Sequence, residues 1–139
     1  MKACFHCISL VEIVFAFFLT SVHAERVLPF VTKAPAKLHF VDKRIVDYGE
    51  IFQGEIADIA IRFTNVGEED LVIYDIIKTC NCTDVALDKK VLPPGDEDSV
   101  AIHVSTKGKL GPQTVVLKLL TNGENEYYII RVNLNVLKP

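Results

Sequence analysis

The stretch ADIAIRFTN, residues Ala57–Asn65, decides the fold. Three apolar side chains recur in it at every second position, at Ile59, Ile61 and Phe63. Successive side chains of an extended chain point to opposite faces, so this two-residue period predicts a strand with one buried face. The turn sequence that follows contains Gly67, which we expect to adopt a positive φ angle.

Short apolar segments separated by turns continue along the chain from Leu38 to Pro139. Val100–Val104 and Tyr128–Val136 alternate in the same way, and no segment has a 3.6-residue period. The run Leu71–Ile77 is apolar almost throughout, so we expect a strand that is covered on both faces. About seven strands with glycine and proline turns between them predict an all-β fold, a β-sandwich.

The composition limits the classes of function. The chain has 139 residues, half of them hydrophobic, and a formal net charge of −3. This length suits one domain with a packed core. No run of basic residues is longer than two, as at Lys89–Lys90, which argues against nucleic-acid binding and gives no support to binding at an anionic membrane.

The first 24 residues have the character of a signal peptide. An apolar stretch runs from Ile13 to Val22, and the residues up to Ala24 suit cleavage after that position. The rival interpretation is an uncleaved membrane anchor, but an apolar run of roughly 10 residues is about half of a membrane span. We therefore predict export to the periplasm, the cell surface or the medium, with no membrane span in the mature chain. Residues 25–37 are predicted to be a linker or an irregular first strand, and 38–139 the folded domain.

Removal of the leader leaves two cysteines, Cys80 and Cys82. In an extended segment the Cα atoms of residues i and i+2 lie about 6.5–7 Å apart, at the upper limit for a disulfide. A bond between these cysteines therefore requires a tight bend, which Asn81 is able to form if the turn needs a positive φ angle. The resulting loop is so short that the expected stabilisation is small.

Three interpretations of the cysteine pair stay open. The pair is structural, as thiols or as a disulfide, or it is a redox-labile pair, or it binds Cu(I) through two thiolates. Zinc requires four ligands, and His39 and His103 are the only histidines of the mature chain.

Other chemical motifs are lacking from the sequence. There is no nucleophile elbow, no phosphate-binding glycine loop and no paired histidine and carboxylate at motif spacing. Acidic residues in predicted loops lack the ordered oxygen-ligand pattern of a calcium site, and we expect them to form a solvated rim: Asp84, Asp88, Asp96, Glu97 and Asp98. The sequence thus predicts a protein that is not an enzyme and has no cofactor.

Four segments, in this order, resemble the bacterial domain-of-unknown-function 1573 family: DYGEIFQGE (47–55), IRFTNVGEEDLVIYDI (61–76), KTCNCT (78–83) and LPPGDEDSVAIHV (92–104). The family's loop usually reads Cys-Gly-Cys-Thr, and here Asn81 replaces the glycine. The resemblance covers nearly all of the mature chain. It implies an immunoglobulin-like antiparallel β-sandwich, related in style to Hydin-type domains, in an exported protein. It implies no reaction.

We therefore expect an exported, non-catalytic binding or structural module with a protein partner whose identity the sequence does not give. One alternative is a thiol redox or Cu(I)-handling protein that uses Cys80 and Cys82. Another is an envelope chaperone-like module, in which an edge strand pairs with an extended client segment.

Overall fold

The computed structural model describes residues 31–139, where the regular structure consists of strands alone. Within these residues no helix has the length and apolar character needed to cross a membrane. The predicted leader and its cleavage site after Ala24 lie outside the described residues. The nine strands are β1 (Leu38–Phe40), β2 (Ile45–Phe52), β3 (Ile56–Asn65), β4 (Leu71–Lys78), β5 (Thr83–Leu87), β6 (Val91–Leu92), β7 (Glu97–Ser105), β8 (Gly111–Thr121) and β9 (Tyr127–Leu137).

The strands form two sheets, which confirms the predicted all-β sandwich. The four-stranded sheet has the order β1-β3-β7-β5, and the five-stranded sheet has the order β2-β9-β8-β4-β6. Every connection between consecutive strands crosses from one sheet to the other, except the hairpin between β8 and β9. Strands that are neighbours in sequence are therefore seldom neighbours in a sheet.

Two details differ from the expected antiparallel sandwich of about seven strands. The described residues form nine strands because β1 and β6 add short segments of three and two residues. In addition, β2 pairs with β9 in parallel, from Ile45 opposite Arg131 to Phe52 opposite Leu137. A tight hairpin forces neighbouring strands to be antiparallel, whereas β2 and β9 are separated by most of the domain and are free of that constraint.

The core consists of alternate residues on the inner faces of the long strands. Ile61 and Phe63 of β3 are fully buried, as their period predicts, while Ile59 is half-buried. The inward residues of β7, Val100, Ile102 and Val104, are also fully buried. Burial of a side chain such as Phe63 contributes about 1.5–3 kcal/mol.

The expectation that both faces of β4 are covered is wrong. Leu71 and Ile73 are buried on the inner face, but Tyr74 is 63% exposed and Ile77 is 48% exposed. A sandwich of two layers covers only one face of each sheet, so the apolar character of β4 does not report a second layer.

Asn65 joins three segments at the end of β3 and is completely buried. Its side-chain amide donates to the carbonyl oxygens of Glu69 (2.7 Å) and Leu92 (2.9 Å). Its side-chain oxygen accepts from the backbone N–H groups of Lys37 (3.2 Å) and Gly67 (3.0 Å). Because all four bonds are made to backbone, the side chain replaces the regular ladder where these segments meet.

Gly67 serves close packing, and the expectation that it adopts a positive φ angle is wrong. A Cβ atom at Gly67 would lie 2.3 Å from the carbonyl oxygen of Pro35, and one at Gly123 would lie 2.7 Å from that of Ala36. The irregular segment before β1 therefore passes directly over two glycines. It buries Ala36, which is 1% exposed.

Candidate functional site

The two cysteines lie in the connection between β4 and β5, where the chain crosses from the five-stranded to the four-stranded sheet. The backbone N–H of Thr83 donates to the carbonyl oxygen of Cys80 (3.3 Å), which closes a tight turn. A disulfide bond joins Cys80 and Cys82, whose Cα atoms lie 5.1 Å apart. We call residues Cys80–Thr83 the cysteine turn. Its bend brings the Cα atoms closer than an extended chain would.

Asn81 is the exposed residue between the cysteines. Its φ angle is not positive, because among the described residues only glycines have a positive φ angle. The turn therefore does not depend on the conformational freedom of glycine or asparagine.

Hydrogen bonds tie the cysteine turn to both sheets. Before the turn, Thr79 donates its N–H to the carbonyl oxygen of Val116 in β8 (3.1 Å), and its hydroxyl oxygen accepts from the N–H of Val116 (3.1 Å). Within the turn, the carbonyl oxygen of Cys82 accepts from the N–H of Ser105 at the end of β7 (2.8 Å). The disulfide thus lies at a fixed position at one end of the sandwich.

The two sulfur atoms have different surroundings. The ammonium group of Lys109 lies 3.4 Å from Sγ of Cys80, and the backbone N–H of Cys82 donates to the same sulfur (3.1 Å). Sγ of Cys82 lies 3.7 Å from the hydroxyl of Thr83, and the Cys82 side chain packs against the core. Cationic and N–H groups therefore converge on Cys80 alone.

Lys109 belongs to the loop between β7 and β8. Its backbone N–H donates to the carbonyl oxygen of Thr106 (3.0 Å), and its own carbonyl oxygen accepts from the side-chain amide of Gln53 (3.0 Å). These bonds hold the loop beside the cysteine turn. Nothing in the sequence spacing indicated this contact, because Lys109 and Cys80 are 29 positions apart and meet only through the packing of two loops.

The two histidines among residues 31–139, His39 and His103, lie on strands of the four-stranded sheet. His103 in β7 pairs with the carboxylate of Asp58 on the neighbouring strand β3, and His39 lies in β1 opposite Thr64. In the part of the chain that the structure describes, no three His, Cys, Asp or Glu side chains converge so as to hold a metal ion. A disulfide offers no thiolate, so the Cu(I) hypothesis applies only to a reduced pair.

Three acidic residues of the predicted rim, Asp96, Glu97 and Asp98, have basic or backbone partners. Asp96 lies 3.6 Å from the ammonium group of Lys89, and Asp98 accepts from the backbone N–H of the same lysine (2.9 Å). Glu97 lies 3.8 Å from the guanidinium group of Arg62.

A groove runs along the open edge of the sandwich between β4 and β5 and has a volume of about 420 Å³. We call it the β4/β5 groove; it is lined by Ile73, Tyr74, Asp75, Ile76 and Lys78 of β4, by Val85, Ala86 and Leu87 of β5, and by Lys90. Within the described chain β5 is the last strand of its sheet, and β6 pairs with β4 only at Leu71 and Val72. Both walls of the groove therefore have unpaired strand edges.

The N–H and C=O groups of alternate residues in β5 point towards this open edge. Cys82 bonds to β7 through its carbonyl oxygen, whereas the carbonyl oxygen of Thr83 accepts from the ammonium group of Lys78 in β4. Backbone groups of successive residues point to opposite sides of a strand, so Val85 and Leu87 share the direction of Thr83. Their N–H and C=O groups point away from β7 and towards the open edge.

Apolar side chains are only partly covered in the β4/β5 groove. Ile76, Val85 and Leu87 pack against the core but are half-buried. The residues of β7 opposite them in the ladder, such as Ile102 opposite Val85, are fully buried. The core is therefore incomplete at this edge.

The family comparison identifies one matching family. The family model described as "Protein of unknown function (DUF1573)" matches residues 39–136. A search of curated proteins finds no match to the chain.

Solved structures share the fold at low sequence identity. A protein of unknown function from Porphyromonas gingivalis W83 has a TM-score of 0.65 at 19% identity, over 78% of this chain and 50% of that one. The Vibrio cholerae VesB protease has a TM-score of 0.59 at 14% identity, over 73% of this chain and 32% of that one. The ASH / PapD-like domain 7 of human CEP192 has a TM-score of 0.60 at 10% identity, over 80% of this chain and 92% of that one. The chain thus spans half the length of the first of these structures, and identities this low show the fold alone.

Proposed function

The chain belongs to the DUF1573 family, and from that premise we propose that it is an exported, non-catalytic binding module that accepts an extended polypeptide segment in the β4/β5 groove. The segment pairs with the free edge of β5 and extends the four-stranded sheet by one strand. This mode of recognition is β-strand addition, in which backbone hydrogen bonds provide affinity and alternate side chains provide specificity.

The incomplete core at the β4/β5 groove is the observation that carries this proposal. Val85 and Leu87 point into the sandwich yet remain half-buried, and Ile76 faces them from β4. An added strand would place every second side chain between these residues. Burial of apolar surface contributes about 25 cal/mol per Å², so apolar side chains at those positions are favoured.

The sheet order supports the same position for the segment. Among residues 31–139, the four-stranded sheet has one strand fewer than the sheet it packs on, and β5 is its last strand. The outward N–H and C=O groups of Val85 and Leu87 provide two donors and two acceptors for a ladder. Exposed edges of this kind are a liability unless they are blocked or used.

Charged side chains define one end of the groove. Lys78 donates to the carbonyl oxygen of Thr83 and lies 3.8 Å from the carboxylate of Asp84, which joins the two walls next to the cysteine turn. Because the Lys78 contacts close this end of the groove, the bound segment lies beyond them, over Val85–Leu87.

The test is selection of peptides from a random display library on the purified mature protein, followed by affinity measurements on variants. Val85→Lys places a charge in the groove and is expected to weaken binding of the selected peptides by at least tenfold. Val66→Lys is the matched control, because Val66 is 52% exposed in the loop between β3 and β4. Circular dichroism and thermal unfolding show whether each variant remains folded.

The selected sequences are an independent readout. We expect apolar residues at alternate positions, since only every second side chain of an added strand enters the groove. Selected peptides that bind folded Val85→Lys and Val66→Lys equally well would overturn the proposal.

A further inference from the structure

In the cysteine turn, two hydrogen-bond donors surround one of the two disulfide sulfurs, Sγ of Cys80. The Lys109 ammonium group (3.4 Å) and the N–H of Cys82 (3.1 Å) both lie at Sγ of Cys80. An adjacent ammonium group and a backbone N–H stabilise a thiolate over a thiol. A disulfide whose reduced form is stabilised in this way is a better electron acceptor.

Cys82 has the complementary surroundings. Its sulfur lies 3.7 Å from the hydroxyl of Thr83 and packs against the core, while the residue itself is not fully buried. In thiol–disulfide exchange the sulfur with the more stable thiolate leaves faster. Attack on Cys82, with departure of Cys80, is therefore the favoured direction.

We propose that Cys80–Cys82 is a thiol–disulfide exchange site that oxidises a dithiol of a partner polypeptide, with Lys109 stabilising the departing sulfur. A partner thiolate attacks Sγ of Cys82, a mixed disulfide forms, the Cys80–Cys82 bond breaks, and Cys80 leaves as a thiolate with the electron pair. The second partner thiolate then attacks the partner sulfur of the mixed disulfide and releases Cys82, which takes up a proton. The partner loses two electrons and gains a disulfide, and the cysteine turn becomes a dithiol.

The position of the turn suits this chemistry. The turn lies at an end of the sandwich, and hydrogen bonds with Val116 and Ser105 hold the chain just before the turn, at Thr79, and within it, at Cys82. Its backbone can therefore keep its shape when the short ring opens. The backbone of the Lys109 loop is held separately, through Thr106 and Gln53, so it does not depend on the Cys80–Cys82 bond for its position.

The test uses glutathione as the attacking thiol and iodoacetamide as the trap on the mature protein. Glutathione is expected to remain attached to Cys82, and iodoacetamide to alkylate the released Cys80, in a ratio of at least ten to one by peptide mass spectrometry. Lys109→Gln should slow the appearance of this product at neutral pH by roughly threefold to tenfold, because the departing thiolate loses its cation.

Lys107→Gln is the matched control, since Lys107 is an exposed lysine of the same loop. It removes the same charge and should leave the rate unchanged. A reduced peptide with two cysteines then replaces glutathione, and its conversion to a disulfide should match the loss of Cys80–Cys82 one for one.

Equal modification of the two cysteines, or equal rates for the two lysine variants, would overturn the proposal. So would a pair that resists both thiols, which would indicate a purely structural bond. The exchange site does not depend on the peptide groove: a Cys80→Ser/Cys82→Ser variant should lose exchange and retain the affinity of selected peptides.

Discussion

Lys78 of β4 donates a hydrogen bond across the open edge of the sandwich to the carbonyl oxygen of Thr83 in β5. This contact joins the two sheets at the point where the cysteine turn ends. From Val85 onward, the described structure has no such bridge between β4 and β5. The β4/β5 groove and the cysteine turn thus lie side by side and share Thr83 as their boundary.

Removal of this bridge should loosen the start of β5. We expect Lys78→Met to increase the rate of amide exchange at Thr83 and Asp84 and to lower the free energy of unfolding by about 0.5–1 kcal/mol, because the lost interaction is partly solvated. Urea unfolding and exchange measured by NMR check this. Lys90→Met, at another part of the groove lining, should change neither quantity.

Asn65 should be among the most sensitive polar positions. Asn65→Ala removes four side-chain hydrogen bonds, of which the one to the carbonyl oxygen of Leu92 is buried and the other three are partly buried. We expect the free energy of unfolding to fall by about 2–4 kcal/mol, since unsatisfied buried groups are costly. Asn133→Ala, whose side chain makes surface bonds, is the control for denaturant titration. Equal losses in the two variants would contradict this role of Asn65.

The ion pair between Asp42 and Arg62 should make stability depend on pH. The guanidinium group donates to both carboxylate oxygens (3.0 and 3.1 Å), and these hydrogen bonds with Arg62 hold the pKa of Asp42 below its ordinary value of 3.8. The folded state therefore favours the charged carboxylate, and the contribution to stability is present above that ordinary value. It is lost as pH falls through the lower pKa of the folded state.

Thermal unfolding at several pH values tests this linkage. Asp42→Asn should have a lower Tm than the parent at pH 7, and the difference should vanish in strong acid. Asp88→Asn replaces an exposed aspartate of the turn after β5 and should match the parent throughout. A difference for Asp42→Asn that persists in strong acid would show that the charge is not its cause.

The disulfide should contribute little to global stability. A ring closed between Cys80 and Cys82 constrains so few residues that the chain-entropy model gives about 1.5 kcal/mol. We therefore expect Cys80→Ser/Cys82→Ser to fold to the same sandwich with a modest fall in Tm. Loss of the folded state in this variant, judged by circular dichroism, would show that the bond is an essential staple.

The sequence predicts the sandwich because burial follows a local period. Ile61 and Phe63 are buried as their alternation indicates, since that period depends only on strand geometry. The cysteine pair was visible for the same reason, as two reactive residues close in sequence. The parallel pairing of β2 with β9 and the open edge of β5 were not visible. They depend on which strands become neighbours after seven crossings between sheets.

Lys109 shows the same limit at the level of a single contact. Its position beside Cys80 depends on how the loop between β7 and β8 packs against the cysteine turn. Gly67 illustrates a different limit of prediction from sequence. A glycine in a turn sequence indicates either a positive φ angle or the close approach of another chain segment. Here the backbone of Pro35 occupies the space of its missing side chain.

Amide exchange resolved by NMR at residues 84–87, with and without a selected peptide, tests strand addition to β5 most directly. Asp84 and Ala86 bond to β7 and should exchange slowly in both states, which provides an internal control. We predict that the peptide slows exchange at Val85 and Leu87, whose N–H groups face the open edge. A bound peptide that leaves those two amides unchanged would contradict the account.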